Sequence, residues 1–290
     1  MAEVAEIKLS VNRWQVLQPA IYLISLLPGL FLLSLLPDGG SKPFLALTTL
    51  AVVLIQHGIN VLNDSIDWRK GADSEKELSW VRFHSGDLKW VNAHGIMSFM
   101  LGVTLGSAVV IATQAFDVFY VAFPLLALGY GYNASQWTLS YTSLGEWVTG
   151  LCYGPGVFGC MGYLFLKTIS VPLMVGSLAF GCLAVAVLFS HQPPQVFSDF
   201  LAGKSTFAVR YGKERTIRTA KILAGVSLLL LTAILTLRIT AWPMKSTLLI
   251  TGALLQFQNW RNIPNPGRIL KAASILIFAG TILVWGESLL

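Results

Sequence analysis

The chain has 290 residues, of which 54% are hydrophobic and only 12% charged, with a net charge of +6. Soluble domains carry roughly 25% charged residues, so the composition excludes a water-soluble globule and indicates an integral membrane protein. The basic excess does not require a nucleic-acid partner, because membrane topology alone concentrates Lys and Arg in the loops of one side.

The first ten residues are polar and of mixed charge, and the first apolar run continues as a full span rather than as a cleavable signal. A crossing helix needs about 17–25 mostly apolar residues. Nine segments meet this, at 15–37, 44–63, 91–114, 116–132, 145–167, 171–191, 217–238, 242–258 and 269–288, and predict nine transmembrane helices. Gly and Pro recur inside them, as in Leu27-Pro28-Gly29 and Gly154-Pro155-Gly156, where they permit kinks or close helix packing. Cys152, Cys160 and Cys182 lie in apolar runs without ligand spacing, as buried free thiols do. No separate soluble domain or sharp repeat interrupts the pattern, so residues 1–290 are expected to form a single all-α membrane-embedded domain.

With the N-terminus placed in the cytoplasm, alternate loops divide the basic residues very unequally. Sixteen of the twenty Lys and Arg fall on the cytoplasmic side, and only Lys42, Lys167, Arg238 and Lys245 fall opposite. This asymmetry supports both the nine-span count and the orientation. The two longest inter-span segments, about 64–90 and 192–216, then share the cytoplasmic face.

Each of these segments carries a polar cluster. The first reads Asn60-Val-Leu-Asn63-Asp64-Ser-Ile-Asp67-Trp-Arg-Lys70-Gly71-Ala-Asp73. Ionisable groups at the end of a membrane span are costly and functional by default. Asn63 and Asp67 are four apart and share one helical face. Clustered oxygens of this kind suit Mg²⁺, which is held by one or two carboxylates together with substrate phosphates. Asn63, Asp67 and Asp199 are the first candidate ligands, with Asp64 and Asp73 in support. Lys70, Lys204 and Arg210 are candidates for phosphate contact, Arg as a fork and Lys as a point charge. Tyr130, Tyr132, Trp137, Tyr141, Trp147 and Tyr153 offer aromatic faces that stabilise a cation without reacting with it. Glu146 suits either the first turn of a helix or a functional role. His57 and His94 read as isolated, packed or pore-lining side chains rather than metal ligands, while His191 opens the second polar segment.

These residues resemble the UbiA-type intramembrane aromatic prenyltransferases, and most closely the 1,4-dihydroxy-2-naphthoate prenyltransferases of menaquinone and phylloquinone synthesis. That branch has a first motif N-x-x-N-D-x-x-D-x-x-K-G-x-D, matched here from Asn60 to Asp73. Its middle segment is similar to Tyr132 and to Tyr141-Thr-Ser-Leu144-Gly145-Glu146, followed by Tyr153-Gly154-Pro155. Its second motif resembles Asp199, Ala202-Gly203-Lys204, Thr206 and Val209-Arg210 with Gly212. Two departures stand out. Gln195 occupies the place of a usual Asp, and Ser135-Gln136-Trp137-Thr138 replaces the usual middle-loop sequence.

The resemblance implies a nine-helix enzyme that transfers a polyprenyl group from its diphosphate to an aromatic quinone precursor, with Mg²⁺ as cofactor. It implies Asp67, Asp199 and Tyr141 as catalytic, and Asn63, Lys70, Lys204, Arg210 and Gln195 as diphosphate-binding. The location implied is a bacterial inner membrane or a thylakoid-type membrane, with the bilayer as a partner. A different aromatic acceptor, or cyclisation of the prenyl chain, stays open at this level. So does a transporter that uses the carboxylates as a translocation site.

Overall fold

The structure is a computed structural model; it describes residues 12–36, 41–72, 76–132 and 138–288. Among these the secondary structure is helical throughout, with no strand. In chain order the helices are α1 (Arg13–Leu17), α2 (Leu23–Leu33), α3 (Lys42–Arg69), α4 (Trp80–Phe83), α5 (Leu88–Ala112), α6 (Val118–Gly131) and α7 (Gly145–Leu151). They continue with α8 (Cys160–Leu166), α9 (Val171–His191), α10 (Val196–Leu201), α11 (Phe207–Tyr211), α12 (Lys213–Arg238), α13 (Trp242–Arg261) and α14 (Pro266–Ser288). This is a multi-pass membrane protein.

Each of the nine predicted segments contains helix among the described residues. Seven stretches of the described residues are long and apolar enough to cross a bilayer. The two others fall short for different reasons. The 14 residues of α6 rise about 21 Å at 1.5 Å each, against roughly 30 Å of hydrocarbon. Helix α13 has the length but is too polar along it; its Gln256 and Asn259 side chains bond the backbone of α12 at Gly225 and Lys221.

Three predicted boundaries shift. The first span is broken, because α1 ends at Gln18 in a left-handed conformation and a 3₁₀ turn over Pro19–Tyr22 leads into α2. The second runs on to Arg69, so Asp64 and Asp67 lie on helix rather than in a loop. The fifth contains a π-helical stretch, Cys152–Gly159, between α7 and α8. Pro155 lies inside it and has no N–H for the regular i to i−4 bond, and π segments recur at functional sites.

Helix α9 is the centre of the bundle, with Phe180, Leu183, Ala186 and Phe189 fully buried. Phe31, Phe158 and Phe180 interlock with ring centroids 4.8–5.8 Å apart. Small residues let the backbones approach. A Cβ on Gly58 of α3 would stand 2.6 Å from the Gly95 carbonyl of α5, and one on Gly154 would stand 2.5 Å from the Ser177 carbonyl of α9. Bulky apolar side chains such as Leu229, Leu237, Leu254 and Phe278 are exposed instead. That distribution suits a surrounding bilayer, where burying apolar surface gains nothing. The three cysteines are free thiols.

Candidate active site

Two helix ends meet at the site in the same way. Helix α3 ends with Gly71 at φ +79°, and α10 ends with Gly203 at φ +74°. In each, the carbonyl of an aspartate accepts from the amide five residues on: Asp67 from Ala72 at 2.9 Å, and Asp199 from Lys204 at 2.8 Å. Glycine is required for its positive φ, since a Cβ at either position would meet nothing within 4 Å. Both aspartates are thereby held on the last turn of a helix that glycine closes, which gives a structural meaning to the similar Asp/Gly/Lys content of the two polar segments.

The side chains converge on Asp67. Its Oδ2 accepts from Asn63 Nδ2 and from Lys204 Nζ, both at 3.0 Å, and its Oδ1 accepts from the Tyr141 hydroxyl at 2.9 Å. Lys204 Nζ is also 3.7 Å from Asp199 Oδ1, so one ammonium stands between two carboxylates. Both are buried, Asp67 at 3% exposure and Asp199 at 6%. Thr206 caps α11 through Val209 N and donates to Asp199 Oδ2 at 3.5 Å. The Tyr141 ring lies under two cations, Lys70 Nζ at 3.9 Å and Lys204 Nζ at 5.0 Å. Lys70 also hydrogen-bonds Thr138. Lys70 and Arg210 are exposed at the rim, whereas Lys204 forms the floor.

The remaining candidates are placed as follows. Asp64, on the neighbouring face of α3, accepts from Lys76 Nζ and from the Trp80 amide, each at 2.8 Å, and ties down the segment that leads into α4. Asp73 lies outside the described residues, as do Trp137 and most of the middle loop. Gln195 immediately precedes α10, one turn before Asp199, and is half-buried. Arg210 donates to Ser143 at 2.9 Å, two residues from Tyr141. Glu146, only 2% exposed, takes Gln192 Nε2 and the Phe207 amide at 2.7 Å each, so it clamps α7 to the end of α9 and to α11. Gly145 beside it leaves room for the turn, because a Cβ would come 2.5 Å from the Leu139 carbonyl. Thr138, Ser143 and Thr206 stand in or beside the motifs, but the sequence assigns their hydroxyls no partners, because single hydroxyls carry no spacing signal.

Behind this polar floor lies a cavity of about 180 Å³, lined by Tyr132, Tyr153, Val148, Leu188, Ile24 and Asn60 among others. Tyr132 connects the two regions, since it is within electrostatic reach of Glu146, Asp67 and Asp199. Trp147 and Tyr130 point elsewhere and are about half exposed. A second, apolar cavity of about 160 Å³ continues between α3, α5, α6 and the π segment. The two share Ile59, Gly129 and Cys152 in their walls.

A buried polar floor beside two apolar cavities is the setting in which the sequence comparisons fall. The UbiA prenyltransferase family matches residues 23–282. The chain belongs to that family. It is 27% identical over 221 residues to the 2-carboxy-1,4-naphthoquinone phytyltransferase of Synechocystis sp., covering 75% of this chain and 71% of that one. It is 28% identical over 186 residues to the 1,4-dihydroxy-2-naphthoate octaprenyltransferase of Haemophilus influenzae, covering 61% of this chain and 60% of that one. Among solved structures, a UbiA homolog from Archaeoglobus fulgidus bound to DMAPP and Mg²⁺ has the same fold, with a TM-score of 0.66 at 16% identity over 94% of this chain and 98% of that one. This UbiA chain is therefore a prenyltransferase.

The residues present can be tested for a metal. Among the described residues no three His, Cys, Asp or Glu side chains form a ligand cluster. However, Asn63 Oδ1 is buried and has no hydrogen-bond partner, while its amide nitrogen is engaged by Asp67. An orphaned buried oxygen beside two carboxylates fits a hard cation that takes its other ligands from water and phosphate.

Proposed function

We propose that this protein transfers a polyprenyl group from its diphosphate to 1,4-dihydroxy-2-naphthoate or a closely related quinone precursor, with Mg²⁺ as cofactor. The observation that carries the reading is the buried Asp67–Lys204–Asp199 bridge with the orphaned Asn63 oxygen beside it. Asn63, Asp67 and Asp199 would hold the metal, with Gln195 supplying a neutral oxygen one turn from Asp199. Asp64 and Asp73 support the charge of the first motif from farther out. Mg²⁺, when bound, neutralises the diphosphate and makes it a better leaving group.

The protein's own groups do the rest. Lys70 and Arg210 at the rim, and Lys204 at the floor, bind and orient the diphosphate. Tyr141 holds Asp67 in place with its hydroxyl and keeps Lys70 and Lys204 over its ring. Tyr132 and Tyr153 present aromatic surface to the allylic cation left behind. The two adjacent apolar cavities would accommodate the isoprenoid tail between α3, α5 and α6.

In this reading residues 1–290 form one domain, and α6 and α13 cross the bilayer with the seven longer spans. The site opens on the cytoplasmic face of a bacterial inner membrane or a thylakoid-type membrane, where the basic loops lie.

The test is purified protein with Mg²⁺, a series of prenyl diphosphates and a panel of aromatic acceptors, analysed by mass spectrometry. Prenylated naphthoate together with stoichiometric diphosphate is expected. Diphosphate release without an acceptor would indicate cyclisation, and no release with any donor would remove the reading.

A further inference from the structure

Three of the four histidines, on three different elements, lie in one chain of hydrogen bonds. The Tyr22 hydroxyl is 2.7 Å from His57 Nδ1, His57 Nε2 is 3.0 Å from His94 Nε2, and His94 Nδ1 is 3.2 Å from His84 Nε2. His57 and His94 therefore each use both ring nitrogens. A neutral imidazole donates at one nitrogen and accepts at the other, so a single run of tautomers satisfies every contact. The opposite run satisfies them equally. A metal centre does not fit, because His94 turns one nitrogen to each neighbour and no point faces all three rings. The edges and faces of Trp80 and Phe83 sheathe the chain, with Trp80 centroids 5.0 Å from His57 and 4.9 Å from His94, and Phe83 5.1 Å from His84.

The two ends lead to different media. Tyr22 is buried and its hydroxyl interacts with Asn60. Asn60 lines the cavity below the polar floor together with Ile21, Ile24 and Gln56. His84 is half-exposed and is followed by exposed Ser85, Gly86 and Asp87 in the turn before α5.

We propose that Tyr22, His57, His94 and His84 form a proton relay that carries the proton lost by the aromatic acceptor from the cavity to the aqueous face. This rests on the prenyl-transfer reading. In that reaction a carbon–carbon bond forms between ring and prenyl group, and the carbon–oxygen bond to diphosphate breaks with its electron pair leaving on the diphosphate. The ring then loses one proton, whose bonding pair restores aromaticity. A water held at Asn60 in the cavity takes up that proton and gives one of its own to the Tyr22 oxygen, as the Tyr22 hydroxyl proton passes to His57 Nδ1. His57 Nε2–H passes to His94 Nε2, His94 Nδ1–H to His84 Nε2, and His84 Nδ1–H to water. One proton leaves the substrate and one reaches solvent. His84 faces Arg13 and Asp87 besides His94; burial, then Arg13, hold its pKa below the usual 6.5, so the neutral form is present at neutral pH.

The experiment measures single-turnover prenyl transfer at saturating Mg²⁺ in wild type, His94→Phe, His94→Ala and His84→Gln. His94→Phe keeps a ring against Trp80 and interrupts the relay; His84→Gln does so at the half-exposed outer end and keeps a polar side chain there. A rate loss of about 10²-fold with unchanged KM for the prenyl diphosphate is expected in each. Imidazole added to His94→Ala should restore much of the rate. Rates within twofold of wild type in His94→Phe and His84→Gln overturn the relay and leave the enzymatic reading intact. So does a loss that appears in KM alone or that imidazole does not restore. A wild type that releases no diphosphate overturns the enzymatic reading, and the relay with it.

Discussion

At the residue scale Asp67 is a point of convergence, accepting from Asn63, Tyr141 and Lys204 at once. Asp67→Asn keeps the shape and removes the charge, and should lower prenyl transfer by about 10²–10³-fold as read by diphosphate release. Lys204→Ala leaves two buried carboxylates without their shared cation, which costs about 3–5 kcal/mol. Thermal unfolding in detergent should therefore fall for Lys204→Ala, and added Mg²⁺ should raise its Tm more than that of wild type. Asp64 behaves differently despite its place in the same motif. Asp64→Asn should cost stability, about 1–3 kcal/mol, and change Mg²⁺ dependence far less than Asp67→Asn does, because its oxygens serve Lys76 and the Trp80 amide. His84 contributes in the pH domain. Its folded-state pKa lies below 6.5, so the unfolded chain binds the extra proton first. Its stability contribution is complete above pH 6.5 and is lost as pH falls through the lowered pKa; proton NMR of the His84 ring tests this. Spacing alone put Asn63 and Asp67 on one face. Nothing local revealed that Asp64 is held by residues twelve and sixteen positions later, or that His57 and His94 belong together.

At the element scale the site depends on how helices end and how closely they pack. The glycines of Lys70-Gly71 and Gly203-Lys204 are legible as turn formers in the sequence. Their common role, turning the chain just after a buried aspartate, needs the backbone to be seen. The seam between α3 and α5 is equally specific. Gly58→Val would drive side-chain atoms into the Gly95 carbonyl and the Phe99 amide. A destabilisation of about 1–3 kcal/mol is expected, measured as a lowered Tm in detergent, with activity lost because α3 carries Asn63 and Asp67. The π stretch at Cys152–Gly159 was not legible. Its hydropathy is that of an ordinary span, and only the Gly-Pro-Gly sequence hints that the helical bonding pattern changes there.

At the scale of the whole molecule the basic ends of α3, α12 and α13 gather at one end of the bundle, and the contacts between helix termini agree. Lys221 bonds the Trp260 carbonyl at that end. At the other, Lys167 bonds the Thr113 carbonyl and Lys42 lies over the Trp285 ring. A membrane-impermeant thiol reagent should label Lys213→Cys and Lys42→Cys from opposite faces of sealed vesicles, Lys213→Cys from the cytoplasmic one; labelling of both from one face would overturn the topology. By itself the sequence determined the membrane setting, the helical class, the position of the long helices and the order of the polar motifs. These are written in local quantities: apolar run length, i to i+4 spacing and the bias of basic residues. Only the tertiary structure decided that Lys204 reaches back across 137 positions to Asp67, that Lys76 and the Trp80 amide come to Asp64, that two cavities share the walls formed by Ile59, Gly129 and Cys152, and that three histidines from separate elements meet. Those contacts depend on which helices pack together and how closely, and glycine seams and buried side-chain fit set that only once the bundle has formed.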